Sequence, residues 1–362
     1  MNYAGSLQAT PLGADELREL CEAIAPAPGP PAPPPAGALD PEEILAGLRS
    51  AAAHLVLEDG LLESLSAAVS EGHVILTGPP GTAKSTLASL LAEVVKGSDW
   101  TPATATAEWS VHDVVGGYMP GSDKPLVFEP GLVLESFRDG RWLVVDELNR
   151  ADIDKAFGEL FTLLSNFRVS LPYRDPESGR RITVAPSGGE GDFVAPADWR
   201  LLGTMNTWDK ASLFRLSYAF MRRFAFVEVA VPPEDAYEDL IGDFVADAGL
   251  ELSEEGTLAL YALFAGPSLR GLQRELGPGI ARTVIGYVKA ATSAGLSESG
   301  ALVAAIRAGA LPQFEGAFEA HESIAAALRE ALVDIGAVPA SDLDPLIRSL
   351  SSWTGAGTPG AP

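Results

Sequence analysis

The sequence is poor in cysteine and in basic residues, and it lacks a long apolar run. Cys21 is the single cysteine among 362 residues, so the chain alone can form neither an internal disulfide nor a cysteine-based zinc site. No stretch approaches about eighteen uninterrupted apolar residues, and the first ten residues lack the basic and apolar regions of an export signal. These absences predict a cytoplasmic protein without membrane insertion.

The charge balance is strongly acidic. Lys and Arg number 25 against 49 Asp and Glu, which gives a formal net charge of −24. Binding to a phosphate backbone would need a basic stripe, and the sequence contains none. We therefore expect no direct contact with nucleic acid.

The remaining composition, 47% hydrophobic and 20% charged, is typical of a folded chain with more than one domain. One helical pattern in residues 1–25 precedes a Pro-rich linker at 26–40. Between 41 and 232 apolar runs alternate with helical patterns, which predicts a parallel β-sheet with helices on both faces. Residues 233–353 show only helical patterns and predict an all-helical domain, and 354–362 resemble a disordered tail.

The periodicity also predicts individual elements. Strand candidates lie near 73–78, 102–107, 141–146 and 200–205, and helical patterns in the α/β part near 60–70, 84–95, 131–138 and 153–166. In the helical part the patterns lie near 232–250, 255–265, 280–293, 298–308 and 320–334.

The stretch HVILTGPPGTAKST has the order of strand, loop and helix that a phosphate-binding P-loop requires. Backbone N–H groups of such a loop surround phosphates at the positive end of the helix. Lys84 is expected to neutralise the β and γ phosphates, and the Ser85 hydroxyl to bind Mg²⁺. Ala83 replaces a usual glycine, which is tolerable if residue 83 is already helical and needs no positive φ. The candidate nucleotide-binding residues are Gly78, Pro79, Pro80, Gly81, Thr82, Ala83, Lys84, Ser85, Thr86 and, further along, Asp146.

Polar residues follow two later apolar strands. In WLVVDELNRAD, Asp146 is expected at the end of a neighbouring strand, where it can hold the magnesium shell, and Glu147 can polarise the attacking water. WRLLGTMNTWD contains Asn206 at the tip of its strand, where the side-chain amide can orient that water or touch the γ-phosphate.

Arg222 and Arg223 lie in the apolar stretch LSYAFMRRFAFVEV. Because buried guanidinium groups need anionic partners, the pair indicates either a phosphate or carboxylate ligand or an ordinary ion pair with a local acid.

These four elements, in this order, resemble the AAA+ ATPases. GPPGTAKS, VVDELNRADIDKAFGEL, GTMNT and AFMRRFAF are most similar to the branch of MoxR-like chaperones, McrB-type restriction motors and dynein-related domains, over about residues 70–230. The resemblance implies a P-loop NTPase α/β domain, a helical lid and ATP hydrolysis in a ring, most often a homo-hexamer. It also implies a role for each site residue: Walker A at Lys84 and Ser85, Walker B at Asp146 and Glu147, sensor 1 at Asn206, and an arginine finger for the neighbouring subunit at Arg222 or Arg223.

The lid of such proteins carries a sensor 2 arginine that contacts the γ-phosphate. LGPGIARTVIGYVKAA offers Arg282 near a helix start, and Arg274 is the alternative. Two further segments resemble insertions that line the pore or face the client in this branch. VHDVVGGYMPGSDKPLVFEPG contains Tyr118 and Met119 as candidate client contacts, unless it is an ordinary surface loop. FRVSLPYRDPESGRRITVAP is predicted to form a β-hairpin.

Three functions stay open at this point. The first is a remodelling ring that uses ATP and Mg²⁺ on a protein client, for which the MoxR-like resemblance implies a von Willebrand A domain partner. The second is an McrB-like, GTP-using motor subunit of a restriction or defence system. The third is a scaffold that binds nucleotide without hydrolysis, against which the intact Lys84, Glu147 and Arg222 argue.

Overall fold

The computed structural model describes residues 39–120, 126–207 and 216–356 of the unit that begins at Leu39. Cys21, the predicted helical segment at 1–25 and most of the predicted linker and tail lie outside these ranges. The predicted tail starts too early, because Thr354 is the last residue of a helix and is buried.

A five-stranded parallel sheet forms the centre of the α/β part, and its strands lie side by side in the order Phe224–Glu228, His73–Gly78, Leu201–Asn206, Trp142–Asp146 and Trp100–Thr104. Its strands are continuous apolar runs because both faces are covered. Val74 and Leu76 pack against one group of helices, and Ile75 between them packs against the other. The strands within the described ranges are β1 (His73–Gly78), β2 (Trp100–Thr104), β3 (Gly116–Met119), β4 (Val127–Pro130), β5 (Trp142–Asp146), β6 (Val169–Arg174), β7 (Arg181–Ala185), β8 (Phe193–Val194), β9 (Leu201–Asn206) and β10 (Phe224–Glu228).

Helices cover both faces of the sheet, as the alternating pattern predicts. The helix that follows β1 begins at Lys84, directly after the loop GPPGTA, and buries Leu87 and Leu91 beneath the strands. The helices of the α/β part are α1 (Pro41–Ala51), α2 (Leu61–Glu71), α3 (Lys84–Lys96), α4 (Val111–Val114), α5 (Leu132–Asp139), α6 (Ile153–Phe157), α7 (Leu160–Leu163) and α8 (Tyr218–Met221).

After β10 the described chain is helical only, with its own apolar core around Tyr237, Ile241 and Leu260. The elements are α9 (Glu234–Asp247), α10 (Glu254–Phe264), α11 (Pro267–Gly271), α12 (Pro278–Ser293), α13 (Glu298–Ala305), α14 (His321–Arg329) and α15 (Ala340–Thr354), with π-helical turns at Ile306–Ala310 and Glu330–Asp334. No helix in the described ranges is both long enough and apolar enough to cross a membrane. The predicted fold class, a P-loop α/β sheet followed by a helical lid, is confirmed.

The element predictions fail in several places, and helix α1 and strand β10 were not predicted at all. The helix predicted at 153–166 is two short helices, because Gly158 adopts φ 45° and ψ −120° between them. Strand β2 spans 100–104 instead of 102–107. Helix α15 was missed, because Pro345 interrupts its apolar periodicity from inside the helix.

Two antiparallel strand pairs accompany the central sheet. Strands β3 and β4 pair over Gly116–Met119 and Val127–Pro130. Strands β6 and β7 pair with an irregularity between Ser170 and Arg174, and β8 adds to β7 in parallel. The predicted hairpin in FRVSLPYRDPESGRRITVAP is therefore confirmed.

Candidate nucleotide-binding and catalytic site

The loop between β1 and α3 has the backbone of a phosphate cradle. Gly78 and Gly81 adopt φ of 149° and 77°, a region that glycine enters without steric cost. Ala83 adopts φ 64° and ψ 23° and is the N-cap of α3, which begins only at Lys84. The condition under which alanine was expected to be tolerable, a helical residue 83 that needs no positive φ, is therefore not met. The alanine is accommodated in a left-handed conformation that L-residues adopt at a cost.

Lys84 is held in the cradle by the loop itself. Its Nζ donates to the carbonyl of Pro79 at 2.5 Å and approaches Thr82 Oγ1 at 3.5 Å. Burial lowers the pKa of Lys84 to about 8, although the nearby carboxylates of Asp146 and Glu147 favour the charged form. The neutral carbonyl and hydroxyl partners do not offset the cost of burying the positive charge of Lys84. An anionic ligand in the cradle would provide the missing negative charge.

Ser85, Asp146 and Thr204 form one hydrogen-bonded cluster. Ser85 Oγ donates to Asp146 Oδ1 at 2.6 Å, although the two residues are 61 positions apart. Thr204 Oγ1 donates to the same carboxylate oxygen. Strand β9 lies between β1 and β5, so Asp146 comes from one strand further away than the predicted neighbour of β1. Thr204, on the intervening strand, thus bonds the same carboxylate oxygen as Ser85.

Thr204 was missed by sequence reasoning, although a signal exists. It precedes Asn206 by two residues in GTMNT, and residues two apart on a strand share a face. Asn206 ends β9 opposite Gly78, so the cradle, the sensor 1 candidate and Asp146 meet at the carboxyl edge of the sheet. A hydroxyl and a carboxylate fit the oxygen ligands that Mg²⁺ prefers, with phosphates and water completing its shell.

Glu147 has a strained backbone and a specific partner. It adopts φ 53° and ψ 45°, and its N–H donates to Thr204 Oγ1 at 3.0 Å. Its Oε2 forms an ion pair with Arg150 Nη1 at 2.8 Å. Non-glycine residues in this conformation cluster at functional sites, and here Ala83 and Glu147 flank the same cradle. Sequence reasoning did not identify Arg150, which lies three residues beyond Glu147 in DELNR.

A cavity of about 390 Å³ opens between the cradle and the helical part. Arg282 lines it and places its guanidinium carbon 5.2 Å from the Phe244 ring centroid. Of the two sensor 2 candidates, Arg282 belongs to this lining and Arg274 does not. No motif pointed to the other walls, because distant segments contribute them: His54, Leu55, Val56, Leu57, Ala230, Pro232, Leu240, Phe244, Pro278 and Gly279.

The helical part is bonded directly to the cradle backbone. The N–H of Gly277 donates to the carbonyl of Pro80 at 3.0 Å, and the N–H of Gly279 donates to that of Gly81 at 2.9 Å. A Cβ on Gly277 would lie 2.4 Å from the carbonyl carbon of Gly81. Glycine at position 277 is therefore required by the close approach of the two backbones.

Arg222 and Arg223 lie at the opposite edge of the sheet. Strand β10 runs parallel to β1 and pairs Phe224 with His73, so both arginines precede the amino end of these strands. The five steps from His73 to Gly78, at about 3.3 Å each, separate this end from the cradle by about 17 Å. The structure thus brings together the Walker A, Walker B, sensor 1 and Arg282 positions, but not the arginine pair.

The two arginines also differ from each other. Arg223 donates from Nε to Ser165 Oγ at 2.9 Å and from Nη1 to the carbonyl of Ala219, and it lies 5.7 Å above the Phe161 ring. Arg222 is exposed, so the expectation of a buried pair is wrong for it. Of the two finger candidates, Arg222 is the one that faces outward.

Known proteins are similar to parts of this chain. Residues 73–224 match the family model described as AAA domain (dynein-related subfamily). The chain is 27% identical over 173 residues to the type IV methyl-directed restriction enzyme EcoKMcrB subunit of Escherichia coli (strain K12), covering 43% of this chain and 35% of that protein. It is 29% identical over 195 residues to midasin of Dictyostelium discoideum, covering 52% of this chain and 3% of that protein.

Among solved structures, a point mutant of RuvB from Thermotoga maritima superposes with a TM-score of 0.44 at 15% identity, covering 83% of this chain and 89% of that one. The chain spans about a third of the McrB subunit and a small fraction of midasin.

The fold and the site together define a P-loop nucleoside triphosphatase with a helical lid, an AAA+ ATPase. Within that class, the chain contains an AAA domain of the dynein-related, McrB-like branch. The predicted family resemblance and enzyme class are confirmed. The roles of individual site residues stay predictions.

Proposed function

We propose that the chain is a Mg²⁺-dependent ATPase that works as a homo-hexameric ring. In this proposal the ring remodels a protein client in the manner of MoxR-like proteins. The observation that carries the proposal is the 2.6 Å contact between Ser85 and Asp146 beside the buried Lys84. A hydroxyl, a carboxylate and an ammonium group converge there beside a cavity of nucleotide size.

Each residue at the carboxyl edge then has a chemical task. Lys84 and the cradle N–H groups neutralise the phosphates, and Ser85 and Asp146 would hold Mg²⁺, which supplies further charge neutralisation when bound. Glu147 takes the proton of the attacking water, and Asn206 orients that water. Arg282 reaches the nucleotide from the helical part.

The position of the arginine pair supports the proposed ring. A guanidinium group about 17 Å from its own cradle cannot stabilise the charge that develops there. Arg222 is exposed, and we assign it as the finger that serves the nucleotide of a neighbouring copy. Arg223 positions the segment that carries it.

The two antiparallel strand pairs are the proposed client-facing elements. Tyr118 Oη donates to the carbonyl of Arg174 at 2.9 Å and accepts from its N–H at 2.6 Å. Its ring packs edge-on against Tyr173 at 5.5 Å. These contacts support a role for Tyr118 in tying the two pairs together, in addition to the predicted client contact. Met119 and Leu126, both exposed, are the better candidates for contact with the client.

The decisive experiment compares Glu147→Gln with Glu93→Gln, an exposed acid on α3. Glu147→Gln should lower phosphate release by about 100-fold or more and should retain a fluorescent ATP analogue, because it removes the base and leaves the cradle. Glu93→Gln should behave as wild type. Wild-type turnover by Glu147→Gln would show that Glu147 is not the base.

The second candidate function is an McrB-like, GTP-using motor, and the matched McrB subunit is the observation that favours it. Values of kcat/KM for ATP and GTP separate the two, and a strong preference for GTP would reverse the ranking. Nucleotide binding without any turnover would instead support the scaffold. Affinity capture with Glu147→Gln, followed by identification of the bound proteins, distinguishes a von Willebrand A domain partner from a nuclease.

A further inference from the structure

The segment 276–279 of the helical part lies directly on the phosphate cradle, and we call it the strap. The N–H groups of Gly277 and Gly279 donate to two cradle carbonyls at 3.0 and 2.9 Å. The strap leads into α12, which begins at Pro278 and carries Arg282 in its second turn. A side chain that holds the strap in place therefore also sets the position of Arg282 beside the cavity.

Tyr237, on α9, is such a side chain. It is fully buried, and its Oη donates to the carbonyl of Leu276, the first residue of the strap, at 2.5 Å. Burial raises the pKa of Tyr237, so the hydroxyl keeps its proton and remains a donor. The hydroxyl thus fixes the strap from the side that faces away from the cradle, although Tyr237 itself does not line the cavity.

A second contact joins the helical part to the segment that precedes it. Arg270 Nη2 donates to the carbonyl of Pro232, which lies between β10 and α9 and lines the cavity. Among the described residues, Arg270 Nε is buried without a hydrogen-bond partner. A buried donor without an acceptor costs free energy, so this contact holds the helical part less favourably than a fully satisfied one would. The contact between Tyr237 and Leu276 has no such cost.

We propose that Tyr237 is a positioning residue for nucleotide binding, whose hydroxyl keeps the strap hydrogen-bonded to the cradle. The inference rests on the proposed function and deepens it, because it assigns control of nucleotide affinity to a side chain outside the cavity. When the strap lies on the cradle, the carbonyl of Leu276 is buried and needs the hydroxyl. When the strap is displaced, water can serve that carbonyl, so loss of the hydroxyl favours displacement. Affinity then falls with the fraction of molecules whose strap is in place.

Tyr237→Phe tests the role by removing the hydroxyl and leaving the ring. The matched control is Thr354→Val, which removes another buried hydroxyl of the helical part, one that bonds His321 Nδ1 at 2.8 Å and the carbonyl of Leu350 at 3.1 Å. Both variants should lower the free energy of unfolding, because each loses a buried hydrogen-bonding group. Only Tyr237→Phe should affect the strap.

Amide hydrogen exchange without nucleotide reads the strap directly. Mass spectrometry of a peptide that spans 275–281 reports on the N–H groups of Gly277 and Gly279. These should exchange about 10-fold faster in Tyr237→Phe, the ratio expected for loss of one buried hydrogen bond. Thr354→Val should match the wild type in this peptide. Equal acceleration in both variants would show a general loss of stability and would refute the positioning role.

Nucleotide binding provides the second measurement. A fluorescent ATP analogue should bind Tyr237→Phe about 10-fold more weakly than wild type, and KM for ATP should rise to a similar extent. The kcat should stay within about twofold, because saturating nucleotide restores the strap to the cradle. Thr354→Val should keep the wild-type affinity and KM. A merely structural role of Tyr237 would lower stability without this separation of KM from kcat.

The outcomes separate this inference from the proposed function. If the wild type neither binds nor hydrolyses nucleotide, the proposed function fails. If the wild type is active and Tyr237→Phe shows wild-type exchange or wild-type affinity, the positioning role alone fails.

Discussion

Replacing Lys84 by methionine should stabilise the protein in the absence of nucleotide. Lys84 is only 8% exposed, and its pKa falls from 10.5 to about 8, chiefly because of burial. At about 1.36 kcal/mol per pKa unit, keeping this amine protonated in the fold costs about 3.4 kcal/mol. Methionine has a similar length and flexible stem, so it can fill the same space without the charge.

The lost hydrogen bond reduces this gain by a modest amount. Lys84 Nζ donates to the carbonyl of Pro79, but Thr82 Oγ1 donates to the same carbonyl at 3.0 Å. The carbonyl therefore keeps a partner in the variant, and the loss is about 1 kcal/mol. We expect Lys84→Met to raise the free energy of unfolding by about 2 kcal/mol near pH 7.

The pH dependence gives an independent check of the same cause. Below about pH 8 the amine is protonated in both states, and the cost is fully present. Between pH 8 and 10.5 the unfolded chain binds more protons than the native chain, so wild-type stability rises with pH. About 2 kcal/mol of the cost is relieved by about pH 9.5, so the advantage of Lys84→Met should disappear there.

Urea unfolding at the two pH values, with and without Mg²⁺ and ATP, measures all of these effects. Nucleotide at about 100 times its dissociation constant should stabilise the wild type by about 2.7 kcal/mol and the variant far less. The exposed Lys289, which donates to the carbonyl of Gly249 at 2.7 Å, provides the control. Lys289→Met should change stability by less than about 0.5 kcal/mol. A Lys84→Met protein less stable than wild type near pH 7, or a difference independent of pH, would refute the reasoning.

Three further predictions concern the backbone and the core. Ala83→Gly should raise the free energy of unfolding by about 1 kcal/mol in urea, because glycine adopts φ 64° without steric cost; no gain would contradict the strain. Acidification from about pH 7.5 to 5.5 should lower the free energy of unfolding by about 1.4 kcal/mol through His73. Burial holds the pKa of His73 at about 3 in the fold, while the histidine of the unfolded chain takes up a proton near pH 6.5. In His73→Gln this pH dependence of the stability should be lost. Gly277→Ala should weaken binding of a fluorescent ATP analogue about 10-fold, since its Cβ would meet the carbonyl of Gly81, whereas Gly271→Ala, in open space, should not.

The local parts of the site could be predicted from the sequence because they are contiguous. A strand, a glycine-rich loop and a helix start within one stretch of the chain are enough to place Lys84 and Ser85. The tip of each apolar strand likewise locates Asp146 and Asn206, since parallel strands end at one edge. The periodicity that predicts these strands needs no knowledge of tertiary contacts.

Features that depend on the order of strands and on distant segments could not be predicted. The sequence alone does not reveal that β9 separates β1 from β5, so Thr204 was not recognised as a hydrogen-bond partner of Asp146. The cavity walls at 54–57 and near Phe244 come together only when the helical part folds back on the cradle. The conformation of Ala83 depends on whether the helix begins at residue 83 or at residue 84. A sequence pattern does not locate a helix start to within one residue, so it could not predict the positive φ of Ala83.

The sequence motif does not distinguish Arg222 from Arg223, whereas the fold does. Two adjacent arginines in AFMRRF are chemically equivalent in the sequence, and either satisfies the pattern. The fold separates them, because Arg223 turns inward to Ser165 and Ala219 while Arg222 remains exposed at the turn after α8. Parallel pairing of β10 with β1 then fixes both at the edge opposite the cradle. Under the proposed finger role, Arg222 cannot reach its own nucleotide and would act on the nucleotide of a second molecule, so the proposal of a ring rests on the register of this strand pair.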